Sequence, residues 1–539
     1  MVIMAGTTYF GPARRIRATV VAVACTAVFS AGATAHAGND DRVKNERSAG
    51  TEPDSTIDPI AETDATNEGR VRTPGWDENA VAPVNRLSLV TDVIRADKLW
   101  SRGVDGSGIG VAVIDSGVAP VPGLDGEGKL INGADLSFDS QSDSVRYLDA
   151  YGHGTHMASI IAGNDGTRRG FRGVAPGAHI VNVKVGATDG SVDVSQVIAA
   201  IDWTVQHRND PGLNIRVISL SYGTDSVQAY QIDPLTTAVE SAWRNGIVVV
   251  VSGGNGGSSH PSLTDPATDP YVLAVGAADI RGTANTRDDR VADFSSRGSA
   301  TRRVDVVAPG VSIAGLRVPG SMIDDLHPDA VVDDRFFRGS GTSQATAITA
   351  GAVALLLDAR PDLTPDMVKA ILRKTATPID GAKQRDQVGG MINVREANAA
   401  SVRRIDRQSW PMATGTGSLE AARGGVHVAD DGFELIGEID IMGQPWDGPR
   451  WAPLSAAGAA WSDGTWNGSV WTGSQWDGGN WATTVWTSKS WSSKSWSDYD
   501  WSSKSWSGTS WSGESWTSKS WSSKSWSSKS WSVDGWNPT

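Results

Sequence analysis

The chain has 539 residues, more than one compact domain usually contains, so we expect two or three structural segments. Its formal net charge of −13 argues against nucleic acid as a partner, because binding to phosphates requires a basic face. The single cysteine, Cys25, excludes an intrachain disulfide and a cysteine-ligated metal site.

Residues 1–37 have the pattern of a secretory signal peptide. Arg14, Arg15 and Arg17 precede a run of small apolar residues at 18–33, and Ala35-His36-Ala37 fits the small-x-small cleavage rule. We therefore expect a secreted, extracellular protein. The alternative is an uncleaved signal, which would be the chain's membrane contact, although the run is short and poor in leucine for a spanning helix.

Residues 38–86 are rich in Asp, Glu, Asn and Thr and show little apolar periodicity. Such a composition cannot bury enough apolar surface to offset the entropy of ordering, so it predicts a disordered linker or a pro-segment. Apolar residues return at helical spacing over 87–100 and predict a helix there.

Strand-like and helix-like patterns then alternate. The strand-like runs are continuous and rich in Val and Ile, which is typical of strands covered on both faces. They lie at 109–114, 179–185, 216–222, 246–251, 271–275 and 304–307. The clearest helical pattern follows Asp193, its predicted N-cap, over 194–205. The alternation predicts an α/β fold with a doubly wound, mostly parallel sheet and helices on both faces, fading near residue 401.

The C-terminal region is different. Residues 402–445 are predicted to be a linker of unknown structure, and residues 446–539 a low-complexity tail rich in Trp, Ser and Lys. Tryptophan recurs every five residues from Trp461 to Trp536, and Trp446 and Trp451 lie on the same spacing. A period of five fits neither a helix face nor a strand face, so the repeat is treated as a separate segment.

Four polar residues in the 87–401 region are candidates for catalysis. Asp115 follows a strand-like run, His153 begins a small-residue helix, and Ser343 lies where a glycine-rich turn enters another helix. A seryl hydroxyl is a weak nucleophile unless an imidazole accepts its proton, and a carboxylate can orient that imidazole. Asn255 follows a fourth apolar strand and can donate its NH₂ group to an oxyanion.

These motifs occur in the order Val-Ile-Asp115-Ser-Gly, Gly-His153-Gly-Thr-His-Met-Ala and Gly-Thr-Ser343-Gln-Ala, and through them residues 87–401 resemble the subtilisin-like serine proteases (subtilases, peptidase family S8). The resemblance implies a serine endopeptidase that hydrolyses proteins or peptides through an acyl-enzyme. It implies Asp115, His153 and Ser343 as the triad. It also implies that Asn255 and the Ser343 N–H form the oxyanion hole.

The resemblance further implies two substrate-binding segments. Ser221-Tyr222-Gly223 matches the strand that pairs with substrate, and Ser252-Gly253-Gly254 matches the opposite wall of the first specificity pocket. Two departures bear on specificity. Gly253 stands where an alanine is common, and an acidic insert at 324–334 precedes the nucleophile and is a candidate for biasing substrates.

No metal ligand is assigned and no cofactor is certain. The chain contains no His-Glu-x-x-His pair, so a zinc protease is unsupported. Calcium stays open because relatives often bind it, although no EF-hand spacing occurs. His156, one turn from His153, is predicted to be a packing residue rather than a base.

The tail leaves the cellular role open. Many exposed indoles favour a contact with cell-wall glycan or self-association, and therefore retention at the cell surface, whereas the bland alternative is a flexible spacer. Two other functions remain. One is a non-catalytic surface-adhesive protein with a protease-like binding domain, and the other is a processing protease that cuts few partners.

Overall fold

The computed structural model describes residues 84–142, 144–167, 169–257, 262–402, 407–425, 427–430, 433–472, 476–477 and 493–495. The chain divides into two units, 1–74 and 75–539, and the first lies outside the described residues. The predicted signal peptide, nearly all of the 38–86 segment and most of the tail lie outside them too. Within the described ranges, no helix is long and apolar enough to cross a membrane.

The described residues form a central sheet of eight strands. They are β1 Gly110–Asp115, β2 Leu130–Asp135, β3 His179–Lys184, β4 Ile215–Leu220, β5 Val248–Ser252, β6 Leu273–Asp279, β7 Arg290–Val291 and β8 Val306–Pro309. The order is β2-β3-β1-β4-β5-β6-β7, with β8 also paired to β6. All pairs are parallel except β6 with β7. The order reverses at β1, and ligands of such sheets bind at this switch point.

The α-helices of the described residues are α1 Leu87–Val93, α2 Asp97–Trp100, α3 His153–Ala162, α4 Val194–His207, α5 Pro234–Arg244, α6 Met322–Leu326, α7 Thr342–Ala359, α8 Pro365–Thr375, α9 Gln384–Gln387, α10 Val394–Ala399, α11 Leu419–Arg423 and α12 Gly448–Ala456. Helices α3, α4, α5, α7 and α8 pack against the sheet. Helix α3 packs against α7 and α4 packs against α5, and three of them (α3, α4 and α7) contact β1. Every residue of β1 is buried, as helices on both faces require. The predicted doubly wound α/β fold is confirmed.

A smaller antiparallel sheet leads into α7. It consists of β9 Ile313–Leu316, β10 Val331–Val332, β11 Phe336–Gly341 and β17 Ser493–Ser495. Two further small antiparallel groups follow in the chain, β12 Ala429–Asp430 with β13 Phe433–Glu434, and β14 Thr465–Trp466 with β15 Ser469–Trp471 and β16 Trp476–Asp477. Since α7 begins directly after β11, the sheet fixes where that helix starts.

Local signals explain two helix boundaries. Asp193 caps α4 as predicted, because its Oδ1 accepts a hydrogen bond of 2.9 Å from the Ser195 N–H. The single helix predicted over 87–100 is instead two, α1 and α2. Arg95 between them has a left-handed φ of 63°, and the Ala96 N–H donates to the Thr91 carbonyl, which ends α1.

Packing continues beyond residue 401, into a segment that we call the C-terminal wrap, the described residues of 407–472. Its helices α11 and α12 lie on α4 and α5. Arg423 of the wrap is buried and its Nε lies 2.7 Å from Oδ2 of Asp193. The wrap therefore contacts the same carboxylate that caps α4.

The first tryptophans of the repeat anchor this wrap. Asp202 of α4 accepts hydrogen bonds from Nε1 of Trp451 at 2.8 Å, Nε1 of Trp466 at 2.9 Å and Oγ of Ser455 at 2.5 Å. Trp461 donates its Nε1–H to a carbonyl of the same helix. Trp461 is 4% exposed and Trp466 is 0% exposed, so the expectation of exposed indoles throughout the repeat is wrong for these two.

Candidate active site

Asp115 and His153 meet at the carboxyl edge of the sheet. Asp115 is the last residue of β1 and His153 is the first residue of α3, which packs against β1. The His153 Nδ1 lies 2.8 Å from Oδ1 and 2.9 Å from Oδ2 of Asp115, and Asp115 is 1% exposed. A buried carboxylate on Nδ1 favours the tautomer with its proton on Nδ1, in which Nε2 is the nitrogen that can accept a proton.

The loop before His153 is held in place by residues 321–323, which immediately precede the acidic insert at 324–334. Gly152 has a φ of 105°, and a Cβ there would lie 2.5 Å from Ser321 Oγ, so glycine is required twice over. The N–H groups of Met322 and Ile323 donate to carbonyls of residues 150 and 151. Residues 321–323 thus fix the loop that leads into His153.

The acidic side chain of Asp324 in this insert is not offered to a substrate. Its Oδ1 accepts from Arg317 Nε at 2.5 Å and its Oδ2 from Arg317 Nη2 at 2.9 Å. The interpretation of the insert as a charge that biases substrates therefore fails for Asp324, which is neutralised by a forked ion pair and is 6% exposed.

Ser343 and Asn255 come together at the start of α7. Ser343 is the second residue of the helix, and Asn255 follows β5. The Asn255 Oδ1 accepts from the N–H of Thr342 at 2.9 Å and from its hydroxyl at 3.0 Å. Because these two donors hold the amide oxygen, the NH₂ end of Asn255 is the end that can serve a substrate oxygen.

Both predicted substrate segments follow neighbouring parallel strands. Residues 221–223 follow β4 and residues 252–254 end or follow β5, and Ser221 Oγ lies 3.5 Å from the Ser343 carbonyl oxygen. A Cβ at Gly223 would lie 2.5 Å from Thr264 Oγ1, and one at Gly254 would lie 3.0 Å from Thr264 Cγ2. Thr264 therefore lies between the two predicted walls.

Gly253 leaves no room for a larger residue. A Cβ there would lie 2.9 Å from Val304 Cγ1 and 3.0 Å from the Val275 carbonyl oxygen. The glycine at this departure from the usual pattern is therefore explained by tight packing behind the pocket wall.

His156 is fully within the core. Its burial, with a contribution from the His153 charge, lowers its pKa to about 3, so it stays neutral near neutral pH. Its burial agrees with the predicted packing role.

Sequence reasoning missed four residues that contact the candidate site: Ser116, Asp149, Thr264 and Thr342. Ser116 and Thr342 are the immediate neighbours of Asp115 and Ser343, and their proximity was the available signal. Asp149 lies only four residues before His153, but it is in a loop without periodicity. Thr264 is ten residues beyond Gly254, and nothing in the sequence pattern connects the two.

Comparisons with known proteins agree with this arrangement. The model of the Subtilase family matches residues 106–401. The chain is 40% identical to serine protease AprX of Bacillus subtilis (strain 168) over 296 residues, 53% of this chain and 66% of that protein. It is 36% identical over 307 residues to subtilisin of Bacillus pumilus, covering 56% of this chain and 96% of that protein.

A third relative gives the same result. Subtilisin amylosacchariticus of Bacillus subtilis subsp. amylosacchariticus is 36% identical over 307 residues, 56% of this chain and 69% of that protein. The family match spans more than half of the 539 residues. The chain therefore belongs to the subtilase family and is a subtilisin-type serine endopeptidase.

Proposed function

We propose that the chain hydrolyses peptide bonds through an acyl-enzyme formed on Ser343, with His153 as general base and Asp115 as its orienting carboxylate. The observation that carries this proposal is the contact of His153 Nδ1 with both oxygens of the buried Asp115, at 2.8 and 2.9 Å. The carboxylate fixes the imidazole tautomer and stabilises the imidazolium that forms during attack.

One proton passes from Ser343 to His153 and then to the leaving amine. Ser343 Oγ attacks the scissile carbonyl while His153 Nε2 takes its proton. The imidazolium then returns the proton to the leaving amine, which breaks the C–N bond and leaves an ester on Ser343. A water molecule, deprotonated by the same imidazole, hydrolyses the ester and restores the hydroxyl.

The negative charge that develops on the carbonyl oxygen is stabilised by two donors. They are the Asn255 NH₂ group, oriented through Thr342, and the N–H of Ser343 in the first turn of α7. The first turn of a helix carries unpaired N–H groups and the positive end of its dipole, so it favours an oxyanion.

The substrate is a protein or peptide bound as an extended strand. Residues 221–223 supply main-chain hydrogen bonds, and residues 252–254 form the opposite wall of the pocket for the side chain preceding the scissile bond. Neither wall offers a carboxylate or a cationic side chain, so the pocket favours apolar side chains.

Substitution of Ser343 by alanine tests the proposal. The Ser343→Ala chain should lose both peptide hydrolysis and covalent labelling by a fluorophosphonate probe. Ser340→Ala is the matched control, since its hydroxyl accepts from the Ser312 N–H and serves the backbone, and it should keep the label. Persistent labelling of Ser343→Ala would overturn the assignment.

The chain is further proposed to be secreted by removal of residues 1–37. Support comes from the arginine cluster, the apolar run and the Ala-x-Ala site in the sequence. N-terminal sequencing of protein from the culture medium should begin at Gly38. Protein that stays with the membrane and keeps Met1 would contradict this.

The tail is proposed to retain the enzyme at the cell surface or wall. Support comes from the tryptophan that recurs every five residues, with lysines between, in residues 473–539. The full Ser343→Ala chain should sediment with purified cell wall, whereas a chain ending at Thr472 should stay in the supernatant. Equal sedimentation would remove the anchoring role.

Subtilases typically bind calcium. Among the described residues, no group of three or more His, Cys, Asp or Glu side chains is arranged to hold a metal ion. No calcium ligand is assigned, and no step of the mechanism passes through a metal.

A further inference from the structure

A second buried carboxylate lies behind the catalytic pair. Asp149 is 1% exposed, and its two oxygens accept hydrogen bonds from the turn that carries His153. Oδ1 accepts from the Gly152 N–H at 2.6 Å and Oδ2 from the Thr155 N–H at 2.7 Å. These N–H groups belong to the start of α3, which has no side-chain cap of its own. Asp149 therefore supplies the acceptors that this helix start needs.

Ser116 connects Asp149 to Asp115. Its Oγ lies 2.8 Å from Asp149 Oδ1 and 3.2 Å from Asp115 Oδ1, and it accepts from the Gly154 N–H at 2.9 Å. A hydroxyl has one proton, and the shorter contact places it on the Asp149 side. Asp115 Oδ1 then keeps its acceptor capacity for His153.

Hydrogen-bond donors partly offset the cost of burying the Asp149 carboxylate. Burial raises the pKa of Asp149, and the hydrogen bonds from Thr155 and Gly152 oppose that shift. The nearby titratable groups that interact with Asp149 are Asp115, Lys184 and Tyr151. The carboxylate form is thus held by donors aimed at it rather than by solvent.

We propose that Asp149 is a positioning residue for the triad: it fixes the first turn of the helix that carries His153, and it accepts the Ser116 proton so that Asp115 Oδ1 stays an acceptor for His153. The inference rests on the proposed function, because it concerns how the proposed base and carboxylate are held. Asp149 touches neither the substrate nor the reacting atoms.

Substitution of Asp149 by asparagine removes the negative charge of the side chain and keeps its shape. All three groups around Asp149 are donors, so whichever way the amide turns, its NH₂ end faces a backbone N–H. The start of α3 must then shift, and a displacement of about 1 Å in a catalytic group costs up to about 10²-fold in rate. The lost negative charge also makes the imidazolium form of His153 less favourable during the reaction.

The test compares full-length wild type and Asp149→Asn, with rates normalised to active sites titrated by an acylating reagent. We expect kcat to fall by about 10- to 10²-fold with little change in KM. In the plot of kcat against pH, we also expect the acid limb to move to lower pH. A merely structural role would reduce the number of folded sites but leave kcat per site and the acid limb unchanged, and that result would overturn the proposal.

Asp202→Asn is the matched control. Asp202 is equally enclosed and accepts three hydrogen bonds, but its donors belong to the C-terminal wrap. This variant should change stability and leave kcat per site and the acid limb as in wild type. A loss of kcat equal to that of Asp149→Asn would show that any buried carboxylate has this effect and would refute the specific role.

Ser116→Ala keeps the proposal testable if Asp149→Asn does not fold. It removes the Oγ that contacts Asp149 and Asp115 and accepts from the Gly154 N–H, so kcat per site should fall several-fold. Where Asp149→Asn does fold, the two effects should not add in the double variant. Unchanged kcat in Ser116→Ala would contradict the bridge. These results are separable from the proposed function, because Ser343→Ala tests the triad irrespective of what Asp149 does.

Discussion

Substitution of Trp466 by alanine tests whether the C-terminal wrap is part of the catalytic fold. Its side chain is 0% exposed, it packs 6.1 Å from the Trp446 ring centroid, and its Nε1 lies 2.9 Å from the buried Asp202 carboxylate. Trp466→Ala would remove this packing and leave a cavity beside Asp202. It would also remove one of the donors that stabilise the carboxylate.

The expected loss in the free energy of unfolding is about 3–5 kcal/mol for truncating a buried tryptophan to alanine. The lost hydrogen bond to a charged group, by itself about 1.5–3 kcal/mol, places the value toward the upper end. Domains are stable by only about 5–15 kcal/mol, so the loss is a large share.

The assay is denaturant unfolding followed by fluorescence, in a Ser343→Ala background that prevents self-digestion. Trp410→Ala is the matched control, because Trp410 lies in the wrap but is 51% exposed, and its loss should cost below about 1 kcal/mol. Equal midpoints for Trp466→Ala and Trp410→Ala would refute the wrap as a structural element of the catalytic unit.

Four further predictions follow from the structure. A chain ending at Ser401 should yield fewer titratable active sites than one ending at Thr472, because the former exposes the face of α4 and α5; equal yields would contradict this. Burial raises the pKa of Asp202 to about 6, above about 3.9 when unfolded, so folding favours its protonated form. The stability of wild type relative to Asp202→Asn should therefore be highest below pH 4 and decrease by about 2–3 kcal/mol as the pH rises through 6. A pH-independent difference between the two would be inconsistent with a buried carboxylate. Asn255→Ala should lower kcat by about 10²–10³-fold, the known cost of losing one such donor in subtilisin, and a smaller effect than threefold would argue against its role. Thr264→Gly should raise kcat/KM for peptides with large aromatic residues before the scissile bond, whereas an unchanged preference in a peptide library would place Thr264 outside the pocket.

The sheet could be predicted because its strands are buried on both faces. The apolar runs before Asp115 and before Asn255 need no knowledge of partners, and both strands form there. The Asp193 cap could also be predicted from the sequence, since an N-cap is a local interaction. The motifs around Asp115, His153 and Ser343 are local in the same sense, because each occupies the end of one element.

Features that depend on distant contacts were not predictable. The break at Arg95 arises from a left-handed residue, for which arginine gives no signal. A tryptophan every five residues matches the period of neither a helix nor a strand. Nothing local therefore indicated that Trp451 and Trp466 would both contact Asp202. Asp149 lies in an irregular loop, and only the fold reveals which N–H groups surround it.

In the proposed mechanism, Ser343 becomes acylated by the action of His153. The most direct measurement is mass spectrometry of the full chain, quenched during turnover of an activated ester, with peptide mapping of the adduct. We expect one acyl group on Ser343 in wild type and none on that residue in His153→Ala within the same time. Turnover without an adduct, or an adduct on another residue, would contradict it.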